Sequence, residues 1–125
     1  MITANELKTG NYLFKAGSFI KVTGTVIRDF ELPFCKSCKD YSPIPLTPEI
    51  LEKAGFVLDE RGYKIPISGS AWLILDEDEG YNIFILQIDT EGGIDYVLLK
   101  GTAKSVHQLQ NLYFALTGEE LTIEL

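Results

Sequence analysis

Few residues in this chain could do chemistry. Its two cysteines stand at Cys35 and Cys38 in "CKSC", its single histidine is His107, and its densest acid run is "DEDEG" at 76–80. The cysteine spacing suits a metal pair, but a structural zinc site needs four ligands, usually Cys and His. One histidine cannot complete that set, so no metal is expected at Cys35 and Cys38. A thioredoxin-like site would put the pair at a helix start after a buried strand. Here it lies among prolines in "ELPFCKSCKDYSPIPL". The calcium-loop pattern wants oxygen ligands at its first, third and fifth positions and glycine at the sixth. In "DEDEG" the glycine, Gly80, comes fifth, so the run reads as a solvated turn.

Nucleophilic catalysis would have to use His107 as its base, with Ser and Asp brought in by the fold. The chain has no Gly-x-Ser-x-Gly elbow, Walker loop or Gly-x-Gly-x-x-Gly motif. No catalytic residue and no cofactor can be assigned.

The stretch around His107, "KSVHQLQNLYFALTGEEL", is the most informative. Ser105 and Gln108 fit a capping box, which predicts a helix from Val106, and Gly118 can stop it in a left-handed cap. At helical spacing Val106, Leu109, Leu112, Tyr113 and Leu116 share an apolar arc that should face a sheet. The opposite arc holds His107, Gln110, Asn111 and Phe114, with Gln108 and Ala115 at its edge. A solvated helix face would carry Glu and Lys, and this one has none after Lys104. The stripe of His107, Gln110, Asn111 and Phe114 should therefore be covered. The leading expectation is the loop at 33–46 or the N-terminal hairpin, with the amides bonding backbone groups. A partner chain anchored on the aromatic is the second. A small-ligand pocket with His107 as acid or base is the third.

The elements that position these residues can be read along the chain. "NYLFK" and "FIKVTGTVIRDF" read as a short strand, a turn at Ala16-Gly17-Ser18, and a strand bent at Gly24. That is how many SH3-like barrels begin. "LTPEILEKAGF" predicts a helix over 47–55, with Thr47 as cap, Pro48 in the first turn and Gly55 as stop. "FVLDERGYKIPI" reads as a hairpin turning at Glu60-Arg61-Gly62, followed by strands "AWLIL", "YNIFILQI" and "IDYVLLK". "YNIFILQI" is apolar on both alternating sets, which suits the centre of a sheet. "LTIEL" reads as a last short strand.

The 125 residues favour one domain over 1–125, and a 46% hydrophobic content suits a packed core. The net charge of −7 opposes binding to nucleic-acid phosphates and to anionic membranes. The start "MITANELKTG" has no secretory pattern, no run reaches membrane-span length, and the expected location is the cytoplasm.

"ELKTGNYL", "PIPLTPEILEKAGF" and "VHQLQNLYFALTGEEL" together resemble a family of small uncharacterised proteins. These are encoded by gut Bacteroidales bacteria and by their phages and prophages. The resemblance covers roughly a third of the chain and is strongest in the last block. It implies a small cytoplasmic, phage-related protein and carries over no catalytic residue.

The expected fold is α+β: a bent, mostly antiparallel sheet, barrel-like at its N-terminal end, with helices near 47–55 and 105–117. Expected core residues are Leu13, Ile20, Val22, Val26, Leu51, Leu73, Leu75, Ile83, Ile85, Val97, Leu109, Leu112, Tyr113 and Leu116. The expected function is a non-catalytic protein-interaction module, with a protein partner or self-association and the stripe as its surface. The alternatives are an acidic DNA-mimic inhibitor of a nucleic-acid enzyme and a small enzyme using His107.

Overall fold

A computed structural model describes residues 2, 4–31, 40–60, 62–68, 71–77, 81–88 and 93–123. The fold is α+β, with every strand pairing antiparallel. The chain divides into two compact units, Met1–Pro45 with Ser105–Leu112, and Leu46–Lys104 with Tyr113–Leu125.

The first unit opens with a 3₁₀ turn, Ala4–Glu6, followed by strands β1 (Tyr12–Lys15) and β2 (Ser18–Lys21). Their turn is Ala16-Gly17, with φ of 51° and 82°. Positive φ at both central residues is what a type I′ hairpin turn requires, and its twist suits the two strands. Helix α1 (Gly24–Glu31) and the two-residue strand β3 (Tyr41–Ser42) complete a sheet of order β2-β1-β3.

The bent strand expected across Gly24 is in fact helix α1. Thr23 caps it: its Oγ1 accepts from the Val26 N–H at 3.4 Å, and its carbonyl accepts from Ile27 at 3.1 Å. The helix forms because Val26, Ile27 and Phe30 fall on one side at helical spacing. That side packs on the core of Ile2, Leu7, Leu13 and Val22. Burial there outweighs the strand preference of a Thr/Val/Ile-rich run. Strand and helix thus replace the barrel-like start, and neither sheet closes.

The second unit holds helix α2 (Pro48–Lys53) and strands β4 (Val57–Asp59), β5 (Gly62–Ser68), β6 (Ala71–Glu77), β7 (Tyr81–Ile88) and β8 (Ile94–Ala103). α2 starts as expected, with Thr47 accepting from the Ile50 N–H at 3.3 Å and Pro48 in the first turn. Gly55, at φ 96°, ends it. The five strands form a meander in chain order.

The centre of that meander is β6, where Leu73, Ile74 and Leu75 are all buried, so both faces are covered. β7, expected at the centre, lies one place away, with Phe84 and Ile85 half-buried. Gly62 has no alternative residue: a Cβ there would stand 2.5 Å from the Leu75 carbonyl oxygen. Pro66 is tolerated in β5 because β4 pairs only as far as Val57↔Lys64, leaving that side of β5 without a partner strand.

Helix α3 (Val106–Thr117) starts where the capping box puts it and ends at Gly118, at φ 73°. Residues 121–123 form no strand, although Leu121 and Ile123 are buried. Leu112, Tyr113 and Leu116 are half-buried rather than core, as are Ile20, Val26 and Ile85. The Val97 side chain lies outside what is described. The remaining expected core residues are buried.

Candidate functional site

The helix arc that lacks charge is covered within the first unit by the N-terminal segment. Gln110 Oε1 accepts from the Tyr12 N–H at 2.9 Å, and its Nε2 donates to the Gly10 carbonyl at 3.2 Å. Asn111 Nδ2 donates to the Glu6 carbonyl at 2.7 Å, and its Oδ1 accepts from Asn11 Nδ2 at 2.9 Å. Asn11 is itself buried, and its Oδ1 accepts from the Lys8 N–H at 2.7 Å. Two helix amides thus serve backbone groups where the chain bends into β1. Gly10, at φ 97°, keeps its N–H on the Val22 carbonyl at 2.9 Å, so the groups left for Gln110 are the Gly10 carbonyl and the Tyr12 N–H.

His107 is 2% exposed. Its Nδ1 lies 3.2 Å from Ser105 Oγ, and the Glu6 carboxylate near Nε2 favours the neutral tautomer in which the hydroxyl donates to Nδ1. Nε2 then carries the proton and lies 3.5 Å from Glu6 Oε1. That distance is at the outer limit of a hydrogen bond and leaves the atom without a well-formed partner. Burial pushes the histidine below its ordinary value, and the Glu6 carboxylate opposes this without reversing it. The ring is a neutral core group rather than a base presented to solvent.

The stripe expected from the helix therefore divides. His107, Gln110 and Asn111 are held by the N-terminal segment, whereas Phe114 is 37% exposed. From the loop at 33–46, the described residues also meet the helix start. The Val106 N–H donates to the Ile44 carbonyl at 2.9 Å, and Pro45 bridges Ser105. Cys35 and Cys38 lie outside the described residues.

A different surface of the same unit carries an exposed aromatic ring. Pairing in the hairpin sets Tyr12 against Lys21 and Phe14 against Phe19, all on one face. Phe14 and Phe19 stack, with ring centroids 4.7 Å apart at 22°, and the Lys21 ammonium lies 5.9 Å from the Tyr12 ring centre. The opposite face carries Leu13, Ile20 and Val22, which pack on α1. Phe19 remains 47% exposed on the outer face. These residues were missed from sequence, although the signal was present. A two-residue turn at Ala16-Gly17 fixes the register, and the register fixes which side chains share a face. Residues 7–28 also carry Lys8, Lys15, Lys21 and Arg28 without one carboxylate, in a chain of net charge −7.

No helix among the described residues is long and apolar enough to cross a membrane. A scan against protein-family models finds no match to this chain, and neither does a search of curated proteins or of solved structures.

Proposed function

We propose that this chain is a non-catalytic protein-interaction module of the cytoplasm, docking through the outer face of its N-terminal hairpin. The observation that carries this reading is Phe19, 47% exposed and stacked on Phe14, with Tyr12 and Lys21 beside the pair. Aromatic side chains held rigid by a neighbour are the usual anchors of protein interfaces. A solvated hairpin gains nothing from holding such a ring in water. The resemblance of three sequence blocks to small proteins of gut Bacteroidales bacteria and of their phages and prophages is in keeping with a phage-derived accessory protein.

The enzyme reading rests on His107, whose burial and partners suit packing better than proton transfer. The DNA-mimic reading rests on the net charge of −7 and needs carboxylates spaced like phosphates over one face, whereas the acids gather in short runs such as 76–80.

A photo-reactive phenylalanine analogue at position 19, compared with one at the exposed Glu49, tests the proposal in the encoding bacterium. The expected result is a discrete protein adduct from position 19 and none from position 49. Equal labelling from both positions, or no adduct from position 19, would remove the basis for this surface.

A further inference from the structure

We propose that the outer edge of β2 takes an extended acidic segment of another protein as an added strand, anchored on Phe19 and charge-paired with Lys21. This rests on the interaction-module reading and names the partner's chemistry.

The backbone supplies the first argument. β2 is the outermost strand of the order β2-β1-β3. The Val22 N–H donates to the Asn11 carbonyl at 2.7 Å and the Val22 carbonyl accepts from the Gly10 N–H at 2.9 Å, so Val22 stands at a hydrogen-bonded pair opened by a bulge at Gly10-Asn11. Such pairs alternate along an antiparallel ladder. Ile20 and Ser18 therefore turn their backbone groups toward β1, while Phe19 and Lys21 turn theirs outward. Among the described residues, the Phe19 and Lys21 backbones make no hydrogen bond beyond the hairpin. An unpaired edge of this kind is a template for strand addition.

The side chains supply the second. The residues with outward backbone groups are the ones that put a ring and a cation on the open face. An added strand would lay its alternate side chains beside Phe19 and Lys21, within cross-strand reach. Main-chain bonds would then give affinity while these two side chains select the partner.

Charge selects the occupant. Lys21 is the charge on the outer face, and residues 7–28 around it hold three further cations and no carboxylate, so an acidic residue beside Lys21 is complementary there. A second copy paired through β2 would bring two such all-cationic segments together. A nucleic acid would meet one lysine on this face and a chain of net charge −7 behind it.

The probe is a labelled peptide repeating Glu-Thr-Val-Thr, which alternates glutamate and valine on one face. Its comparators are a Lys-Thr-Val-Thr repeat, the acidic peptide N-methylated at alternate residues, and a labelled oligothymidine. Fluorescence anisotropy should show saturable binding of the acidic peptide alone. Phe19→Ala should weaken it about thirtyfold, the size of an anchor loss. Lys21→Glu should weaken it about tenfold and reverse the preference toward the basic peptide. Both side chains are exposed, and far-ultraviolet circular dichroism checks that the variants stay folded. Equal binding of the N-methylated peptide would overturn strand addition, and equal binding of the basic peptide would overturn charge selection. Preferential binding of oligothymidine, or self-association lost in Phe19→Asp, would replace the proposed occupant. If position 19 cross-links a protein and the acidic peptide does not bind, this proposal falls and the module reading stands.

Discussion

The first turns of α3, rich in amides, and the outer face of the β1–β2 hairpin, rich in aromatic rings, both carry little charge yet meet opposite environments. On the helix, Gln110 and His107 are buried and work for the fold. On the hairpin, Phe19 stands half in water on a stacked partner. Missing charge on a helix face does report that something covers it. It does not report whether the cover is a partner or the chain's own backbone. Unsatisfied backbone at a bend is a strong local demand, and here the helix amides answer it. The hairpin face hides its exposure in sequence because one lysine among aromatics resembles any half-buried strand.

The comparison breaks first on the apolar arc of α3. Leu109 is fully buried, so Leu109→Ala should cost roughly 2–5 kcal/mol in a urea melt. Leu112, half-buried, should lose distinctly less on the same change. Equal losses would mean that the helix is oriented otherwise than described.

The amide arc comes next. Gln110→Ala strands the Tyr12 N–H and the Gly10 carbonyl together. Both lie in half-buried residues where water can partly substitute, so the expected cost is about 1–3 kcal/mol. Exposed Gln108→Ala should cost less. Were Gln110→Ala to leave stability unchanged and abolish binding of the Glu-Thr-Val-Thr peptide, the two regions would have to exchange roles.

How far these assignments were visible beforehand depends on what kind of interaction decided them. α2 was legible because its start and stop are local: Thr47, Pro48 and Gly55 act on their own neighbours. The end of α3 at Gly118 was legible for the same reason. α1 was not, because Val22, Thr23, Val26 and Ile27 favour strand locally, and only packing on Leu13 and Val22 makes the helix win. In "LTIEL" a strand was expected and none forms among the described residues, although Leu121 and Ile123 are buried. For the stripe, the coverage of His107, Gln110 and Asn111 was legible from composition, while Phe114 on the same arc is 37% exposed. The partner was not legible, because Gln110 and Gly10 are a hundred residues apart.

A pH series separates His107 from the amides around it. Burial lowers its affinity for a proton in the folded chain, with Glu6 opposing in part. The unfolded chain should bind that proton near the ordinary imidazole value of about 6.5. Above that value both states are neutral and stability is complete. As pH falls below it, the unfolded state gains a proton that the folded state resists, so stability drops until the folded value is passed. His107 is the only histidine, so no other side chain with an ordinary value titrates between about pH 5.5 and 7.5. Urea midpoints should fall across that window in the parent and stay flat in His107→Gln. An unchanged slope would show that another group titrates.

The hairpin turn offers a gain. Ala16 sits at φ 51°, a left-handed conformation that costs an alanine about 1–2 kcal/mol. Asparagine tolerates it better and is favoured ahead of glycine in such turns. Ala16→Asn should raise stability by about 0.5–1 kcal/mol, read as a higher thermal midpoint. It should leave the binding face intact, since position 16 lies in the turn and not on a strand.

A small expected effect on stability separates the two regions most sharply. Phe19 already has nearly half its surface in water, and its main contact is the ring of Phe14, itself half-buried. Removing a surface side chain usually changes stability by no more than about 0.5 kcal/mol, to which loss of the stacked pair adds at most about 1 kcal/mol. Phe19→Ala should therefore melt close to the parent, while Gln110→Ala melts well below it, although phenylalanine is much the larger apolar group. Removal of a fully buried phenylalanine would cost about 3–5 kcal/mol instead. A loss of that size at position 19 would mean that the ring works inside the fold. The hairpin face would then join the amide arc as structure, and the docking surface would have to be sought elsewhere.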